Sequence, residues 1–472
     1  MGKFKVGVAA VLSMVMLSAC STDGGDEGGE SGSQVSDQQG VGSGNDGSDW
    51  RALDIIPENG LLRLPPASEI PVQFQYIFQS GDIASQMALP FEGDESINQG
   101  LGRIDVEQAT MVTSFMSPNQ AQIVQDTGLV VGHYFVGASE HNLSDPQRKE
   151  AKHALLRFNT EEDAKSVVEQ IAGEMATNGE QPIAQLPVPW AETPAENLGE
   201  TRAFSAQPGP TRMGVPDDVN AGHRTHRTLT PIGEYVFWTE TIALSDDPAW
   251  AEGYATKVIE KQRALVPEIE SLKTEGGVGM YDELPDKEYA ALELYNSQPL
   301  SHESQNEPQN FSPRGYAMNY ENAKAVYEVL LDTKTEHIVQ DGSVVFASAD
   351  EQGAQKLQDF FVEELKAKGG TEYDEPQGIE NTVCLESQGV DGDENTCVMR
   401  YGSAVVMTKQ DNSVYSEVNN INPKKTLSEL LATSYASFRL ADELGIPLNS
   451  NRGDAREIFK ANFDEDEHPL ES

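Results

Sequence analysis

Basic residues are scarce in this chain: 33 Lys and Arg stand against 77 Asp and Glu, a formal charge of −44 over 472 residues. A surface of that sign repels phosphate backbones and anionic headgroups, so nucleic acid is not expected as a partner. Solubility is the plainest use of such acidity. Cysteine is nearly absent, with Cys20, Cys384 and Cys397 the whole complement. Three motifs are missing as well. Without G-x-S-x-G there is no nucleophile elbow, without H-E-x-x-H no zinc-binding helix, and without a P-loop no phosphate cradle. The apolar stretch from Val6 to Met16 falls short of the ~20 residues that span a bilayer as a mature helix.

What is present begins at the N-terminus. Lys3 and Lys5 form a short basic region, the stretch to Met16 is a secretory apolar core, and Leu17-Ser18-Ala19-Cys20 follows. This tetrapeptide resembles the lipobox of bacterial lipoproteins. Small side chains at Ser18 and Ala19 let a peptidase reach the backbone between Ala19 and Cys20, and the thiol accepts diacylglycerol. Two acyl chains give a stable anchor where one is marginal. The expectation is an extracytoplasmic protein held on the cytoplasmic membrane by Cys20.

The chain then divides by composition. Residues 1–19 read as signal peptide and 20–49 as an acidic Gly/Ser tether, too polar to offset its ordering entropy. Gly42, Gly44 and Gly47 match G-x-G-x-x-G there, without the strand and helix that give this pattern meaning. Residues 50–295 read as a first domain with extra material before about Ser144. Pro- and Asn-rich residues 296–315 read as a linker, 316–445 as a second domain, and 446–472 as an acidic tail.

The two domains look related. Ala154 to Phe158 reads as a strand, followed by a helix with Ala164, Val167, Val168, Ile171 and Met175 on one face, capped by Thr160 and Asp163. Ser343 to Phe346 repeats the strand, and Ala354, Leu357, Phe361 and Leu365 repeat the stripe, with Ser348 and Glu351 as its capping box. Each copy then continues with a strand, a hairpin and a last helix. In the first copy that helix carries Trp250, Tyr254, Val258 and Leu265, with Asp247 as its cap. In the second, Thr426 and Glu429 box its start. The fold class expected is α+β: two related domains, each a mainly antiparallel sheet with helices packed on one face.

Lipidation of Cys20 leaves Cys384 and Cys397 as an even pair in an oxidising compartment. They fall in successive strands, and a structural disulfide is expected, with two buried thiols as the alternative. His223 and His226 have metal-like spacing in an Arg-flanked segment that reads as solvated loop, and no third ligand is evident. Asp391, Asp393 and Asn395 imitate half a calcium loop, but Thr396 and Gly402 occupy positions that need Gly and Glu. Arg452-Gly453-Asp454 spells an adhesion tripeptide in an acidic tail, where chance suffices. No catalytic residue, metal or cofactor is therefore assigned.

Leu156-Arg157-Phe158 with its Ala-rich helix, Phe346 to Phe361, the Cys384 and Cys397 strands, and Ala432-Thr433-Ser434-Tyr435-Ala436 together resemble uncharacterised two-domain envelope lipoproteins of mycobacteria, corynebacteria and their relatives. The resemblance implies surface display in an actinobacterial envelope and brings no activity with it. The function expected is non-catalytic binding or sensing of an envelope ligand or protein, with recognition at a cleft between the domains. A lipid or glycolipid carrier, or a hydrolase, is the alternative.

Overall fold

The structure, a computed structural model, describes residues 80–139, 145, 147–178, 190–195, 198–207, 223–244, 248–269, 309–341, 343–374, 376, 378–389, 392–411 and 423–447. The expectations for Ala19, Cys20, the tether, Asp247, Asp391 and the Arg452 tripeptide lie outside these residues. Among them, no helix is long and apolar enough to cross a membrane.

The first domain runs through α1 (Pro90–Gly93), β1 (Gln99–Val106), a 3-10 turn (Ala109–Ser114), α2 (Pro118–Asp126), β2 (Leu129–Ala138) and β3 (Glu150–Phe158). It continues with α3 (Glu161–Asn178), β4 (Ala191–Thr193), β5 (Arg202–Ala206), β6 (His223–Ile232), β7 (Tyr235–Leu244) and α4 (Pro248–Leu265). The second domain begins with β8 (Gln309–Phe311), α5 (Pro313–Ala317), α6 (Ala323–Asp332), β9 (His337–Asp341), β10 (Ser343–Ala347) and α7 (Glu351–Ala367). It ends with β11 (Thr371–Tyr373), β12 (Thr382–Gly389), β13 (Gly392–Tyr401), β14 (Ala404–Asp411) and α8 (Pro423–Leu444).

Each domain forms one seven-stranded antiparallel sheet, ordered β1-β2-β3-β7-β6-β5-β4 in the first and β8-β9-β10-β14-β13-β12-β11 in the second. Strand for strand the two orders are the same. The duplication is fuller than the repeat read from sequence, because each copy opens with a strand, a short helical turn, a helix and a second strand. In the first copy that unit lies within the supposed extra material. In the second it overlaps the expected linker, whose last residues form β8 and the start of α5. Phe311, 1% exposed, draws them into the core. The copies also share a turn: Gly233 (φ 56°) and Gly402 (φ 53°) each open the two-residue loop of the central hairpin. Positive φ at that place matches the twist of the strands and favours glycine.

Helices cover both faces of each sheet, where sequence reading put them on one. Side chains alternate along a strand. Leu156, Val236 and Trp238 face α3, while Leu155 and Phe237 face α4. In the second domain Phe346 and Val405 face α7, and Val345 and Val406 face α8. Amphipathic patterning shows that a helix has a buried side but not which face of the sheet receives it.

Capping follows sequence in one copy only. The Asp163 amide donates to Thr160 Oγ1 at 3.1 Å, as expected. The cap of α7 is Asp350, whose carboxylate accepts from the Gly353 amide at 2.7 Å, two residues after the expected Ser348. Ser348 is held back by its amide, which donates to Ser403 O and prolongs the β10–β14 pairing.

Cys384 and Cys397 stand directly opposite each other in β12 and β13 and form a disulfide in the core beneath α8. Closing that loop of 13 residues stabilises by about 3 kcal/mol on a chain-entropy basis. Cys384→Ser with Cys397→Ser is therefore expected to lower stability by about that amount in urea unfolding; an unchanged midpoint would refute it.

The α4 face of the first sheet and the α7 face of the second share one apolar core, which residues 83–97 fill from the side. The junction is close. The Gly100 amide donates to Tyr320 O at 3.0 Å, and a Cβ there would lie 2.5 Å from that oxygen. Arg103 stacks on Phe311 at 4.3 Å, and the Ser312 amide donates to Ser85 Oγ at 3.1 Å.

Candidate binding cleft between the domains

Beside this junction a cleft of about 880 Å³ opens to solvent. One wall is α1 with the start of α4, from the first domain; the other is α6, from the second. Its aromatic groups come from both: Phe91, Trp250 and Tyr254 on one side, Tyr327 on the other. Phe91 and Tyr254 are buried, whereas Trp250 and Tyr327 are half-buried, with Lys149 Nζ 4.8 Å from the Trp250 ring centre and the Arg314 guanidinium 5.5 Å from that of Tyr327. Leu331, 51% exposed, extends the α6 wall.

Pro90 starts α1, and Glu92 turns back to accept from the Leu89 amide at 2.8 Å. The same carboxylate receives both Arg314 Nη atoms at 2.6 and 2.9 Å, a two-pronged pair across the domain boundary. Burial alone raises the Glu92 carboxyl, but the Arg314 hydrogen bonds and charge outweigh it and hold the group below its usual value. Asp94 accepts from Trp250 Nε1 at 2.7 Å and Lys149 at 3.0 Å on one oxygen, and from Ser96 on the other. Burial again opposes ionisation, and these donors carry Asp94 well below the carboxylate range. Lys257 donates to Gly93 O, and Lys324 pairs with Glu328. The walls are thus charged, with Glu92, Asp94 and Glu328 each beside a cation and Lys257 on a carbonyl oxygen.

His223 and His226 are buried in β6 rather than in a solvated loop, because β5 and β7 flank that strand on either side. Three residues apart on a strand, their side chains take opposite faces of the sheet, so no single ion can meet both. Among the described residues no group of three metal-ligating side chains converges. Asn395 is buried within β13.

Two polar clusters escaped sequence reading. Ser80, His133 and Asp105 meet beneath the sheet, which invites comparison with a nucleophilic triad. That device places its carboxylate and hydroxyl on different ring nitrogens. Here Ser80 Oγ and Asp105 Oδ1 both lie 3.0 Å from His133 Nδ1, and Nε2 is buried with no partner among the described residues. The imidazole cannot relay a proton between them, and the cluster fastens residue 80 to β1 and β2. The second cluster lies on the α3 face. Glu240 accepts from Lys152 at 2.7 Å and from Arg227 Nη2 at 2.5 Å, and the Arg227 guanidinium sits 4.5 Å from the Trp190 ring and 5.3 Å from Trp238.

Residues 77–276 match the N-terminal domain of unknown function DUF7373, and residues 293–419 match its C-terminal domain. Between them the matches span more than half of the chain. The chain belongs to the DUF7373 family. The boundary between the two DUF7373 matches falls between α4 and β8, where one sheet gives way to the other. No curated protein matches it. Among solved structures, the extracellular domain of PknH from Mycobacterium tuberculosis is 10% identical, with a TM-score of 0.29 over 39% of this DUF7373 chain and 96% of its own. DynU16, encoded in the dynemicin biosynthetic locus, is 9% identical, with a TM-score of 0.10 over 72% of this chain and 97% of its own. Overlaps this small bear on neither fold nor function.

Proposed function

We propose that this DUF7373 protein is a lipid-anchored, extracytoplasmic binding protein whose ligand sits, without chemical change, in the cleft between its two domains. The observation that carries the reading is the composition of that cleft. Half-buried Trp250 and Tyr327 come from different domains and flank charges already fixed in pairs. Rigid aromatic surface with a few oriented polar groups is the usual make-up of a recognition site. The anchor rests on Leu17-Ser18-Ala19-Cys20 and places the protein in a bacterial envelope, with the membrane reached through diacylglycerol.

The carrier reading is less favoured. An acyl chain laid in the cleft would strip water from Glu92, Asp94, Lys257 and Lys324, which costs more than the aromatic contacts return. For a hydrolase, the Ser80–His133–Asp105 cluster has the wrong connectivity.

Two measurements test the proposal. Mass spectrometry of protein released from its host's membranes by detergent is expected to give a mature chain starting at Cys20 with diacylglycerol and a fatty acid attached. Any other start, or no lipid, removes the anchor. Hydrogen exchange with a host envelope extract is expected to protect 249–257 and 324–331. Protection confined to other segments would move the binding site elsewhere.

A further inference from the structure

We infer that the ligand of the cleft is a glycan, held with the face of a sugar ring against Trp250 or Tyr327 and its hydroxyls on the paired charges of the walls. The inference rests on the cleft being a binding site and adds the chemical class of what it binds.

The lining argues against the other classes in turn. The lining carboxylates Glu92, Asp94, Glu95 and Glu328 are matched by Lys257 and Lys324 in the walls and by Arg314 and Lys149 paired behind them, so no surplus of positive charge is left to draw in a phosphate-bearing ligand. A bare cation gains little: Glu92, Asp94 and Glu328 already carry Arg314, Lys149 and Lys324 as counter-charges. An acyl chain meets charge on both walls. A pyranose meets these conditions. Its ring faces carry C–H groups that lie on an aromatic surface, and its equatorial hydroxyls each donate and accept. Carboxylate–ammonium pairs such as Lys324–Glu328 offer an acceptor and a donor side by side. Because the Arg314–Glu92 and Lys149–Asp94 pairs are formed and partly buried before the ligand arrives, less side-chain ordering remains to oppose binding. The volume of about 880 Å³ lies within the ~300–1,000 Å³ of sites for small organic ligands. The open side lets a longer chain continue out of the cleft.

The test uses full-length protein in detergent, titrated with glucan, mannan, galactan and arabinan oligosaccharides and a peptidoglycan disaccharide, with a lysophospholipid in parallel. Calorimetry and tryptophan emission are read together. At least one saccharide is expected to bind and to shift the emission of Trp250. Trp250→Ala and Tyr327→Ala are each expected to weaken it at least about tenfold, Trp250→Phe less, and Lys165→Ala on α3 not at all. Trp250 and Tyr327 stand on different domains, so a variant that misfolds leaves the other as the test. A free glycan and a lipid-linked one share this chemistry. Equal affinity for a free sugar and its octyl glycoside assigns the free form, and octyl binding more than about tenfold tighter assigns the linked form. Saccharide binding that survives both alanine variants, each with unchanged melting, overturns the inference. So does lysophospholipid binding at Trp250 with every saccharide silent, which would leave the cleft as the binding site. If no probe binds and the envelope extract protects neither wall, the glycan and the cleft both fall.

Discussion

Replacing Glu240 with alanine is expected to cost about 3–5 kcal/mol of folding stability, the usual penalty for removing one partner of a buried ion pair. Glu240 accepts from Lys152 on one oxygen and from Arg227 on the other. Burial opposes its charge, and these two cations outweigh the opposition, holding the carboxyl near 2. The two cations do not suffer equally when it goes. The Lys152 side chain is 23% exposed and can turn toward water, but Arg227 is 2% exposed, lodged between Trp190 and Trp238. The variant removes the carboxylate that joins that guanidinium to Lys152. Urea unfolding reads the loss. The double variant Glu240→Leu, Arg227→Met is expected to lose much less than the single changes added together, because it removes charge from both sides of the pair. A cost below about 1 kcal/mol for Glu240→Ala would place the pair among weak surface bridges instead.

The same cluster shows why part of this fold was hidden in its sequence. Along β3, Ala154, Leu156 and Phe158 face α3 as alternation predicts, but Glu150 and Lys152 point the same way and read as solvent positions. Their burial depends on partners such as Glu240, 88 residues from Lys152, which no local pattern reveals. β1 was missed for a related reason. Its sequence, Gln99 to Val106, contains two glycines and two charges, and it is held by Tyr320 and Phe311 of the other domain as well as by β2. Helix α6 went unread although Ala323, Val326 and Leu330 stand at helical spacing, because the Pro- and Asn-rich run before it masked the start of the repeat. The strong signals held: the Ala154-to-Phe158 strand, the α3 and α7 stripes and the opposed cysteines. The cleft was half-visible. Trp250 and Tyr254 lie four apart on α4 and both read as core, yet only Tyr254 is buried, and Tyr327 joins them by domain packing alone.

Lowering the pH from 6.5 to 4 is expected to remove about 5 kcal/mol of stability through two buried histidines, about 2.6 from each. His153 sits in the core shared by the domains, its Nδ1 2.7 Å from Ala88 O and its Nε2 2.9 Å from the Tyr254 hydroxyl. Burial drives its pKa down to about 4, against the weaker pull of the Ala88 carbonyl and of Glu92. His226 reaches about 4 through burial and then the charge of Arg224, and its Nδ1 has no hydrogen-bond partner among the described residues. Both rings are neutral when folded at pH 6. Unfolded, each takes up a proton near 6.5, so between 6.5 and 4 the unfolded chain binds about two protons more at these two sites, with His133 and His337 shifted the same way by burial, and stability falls as pH falls. The depressed carboxylates, Asp94, Asp105 and Glu240, have the same sign but act lower: their stabilisation is complete above about 4.5 and is lost as pH drops through their folded values. The histidine step is therefore separable from the carboxylate step. Stability measured in urea from pH 7 to 4.5 is expected to change by about 1.4 kcal/mol per pH unit for each histidine once the pH is below 6.5. His153→Gln and His226→Gln should each remove about 1.4 kcal/mol per pH unit of that slope without moving the loss below pH 4.5. If both variants kept the full slope, the protons would be entering elsewhere, and the buried imidazoles would not be what makes this protein sensitive to mild acid.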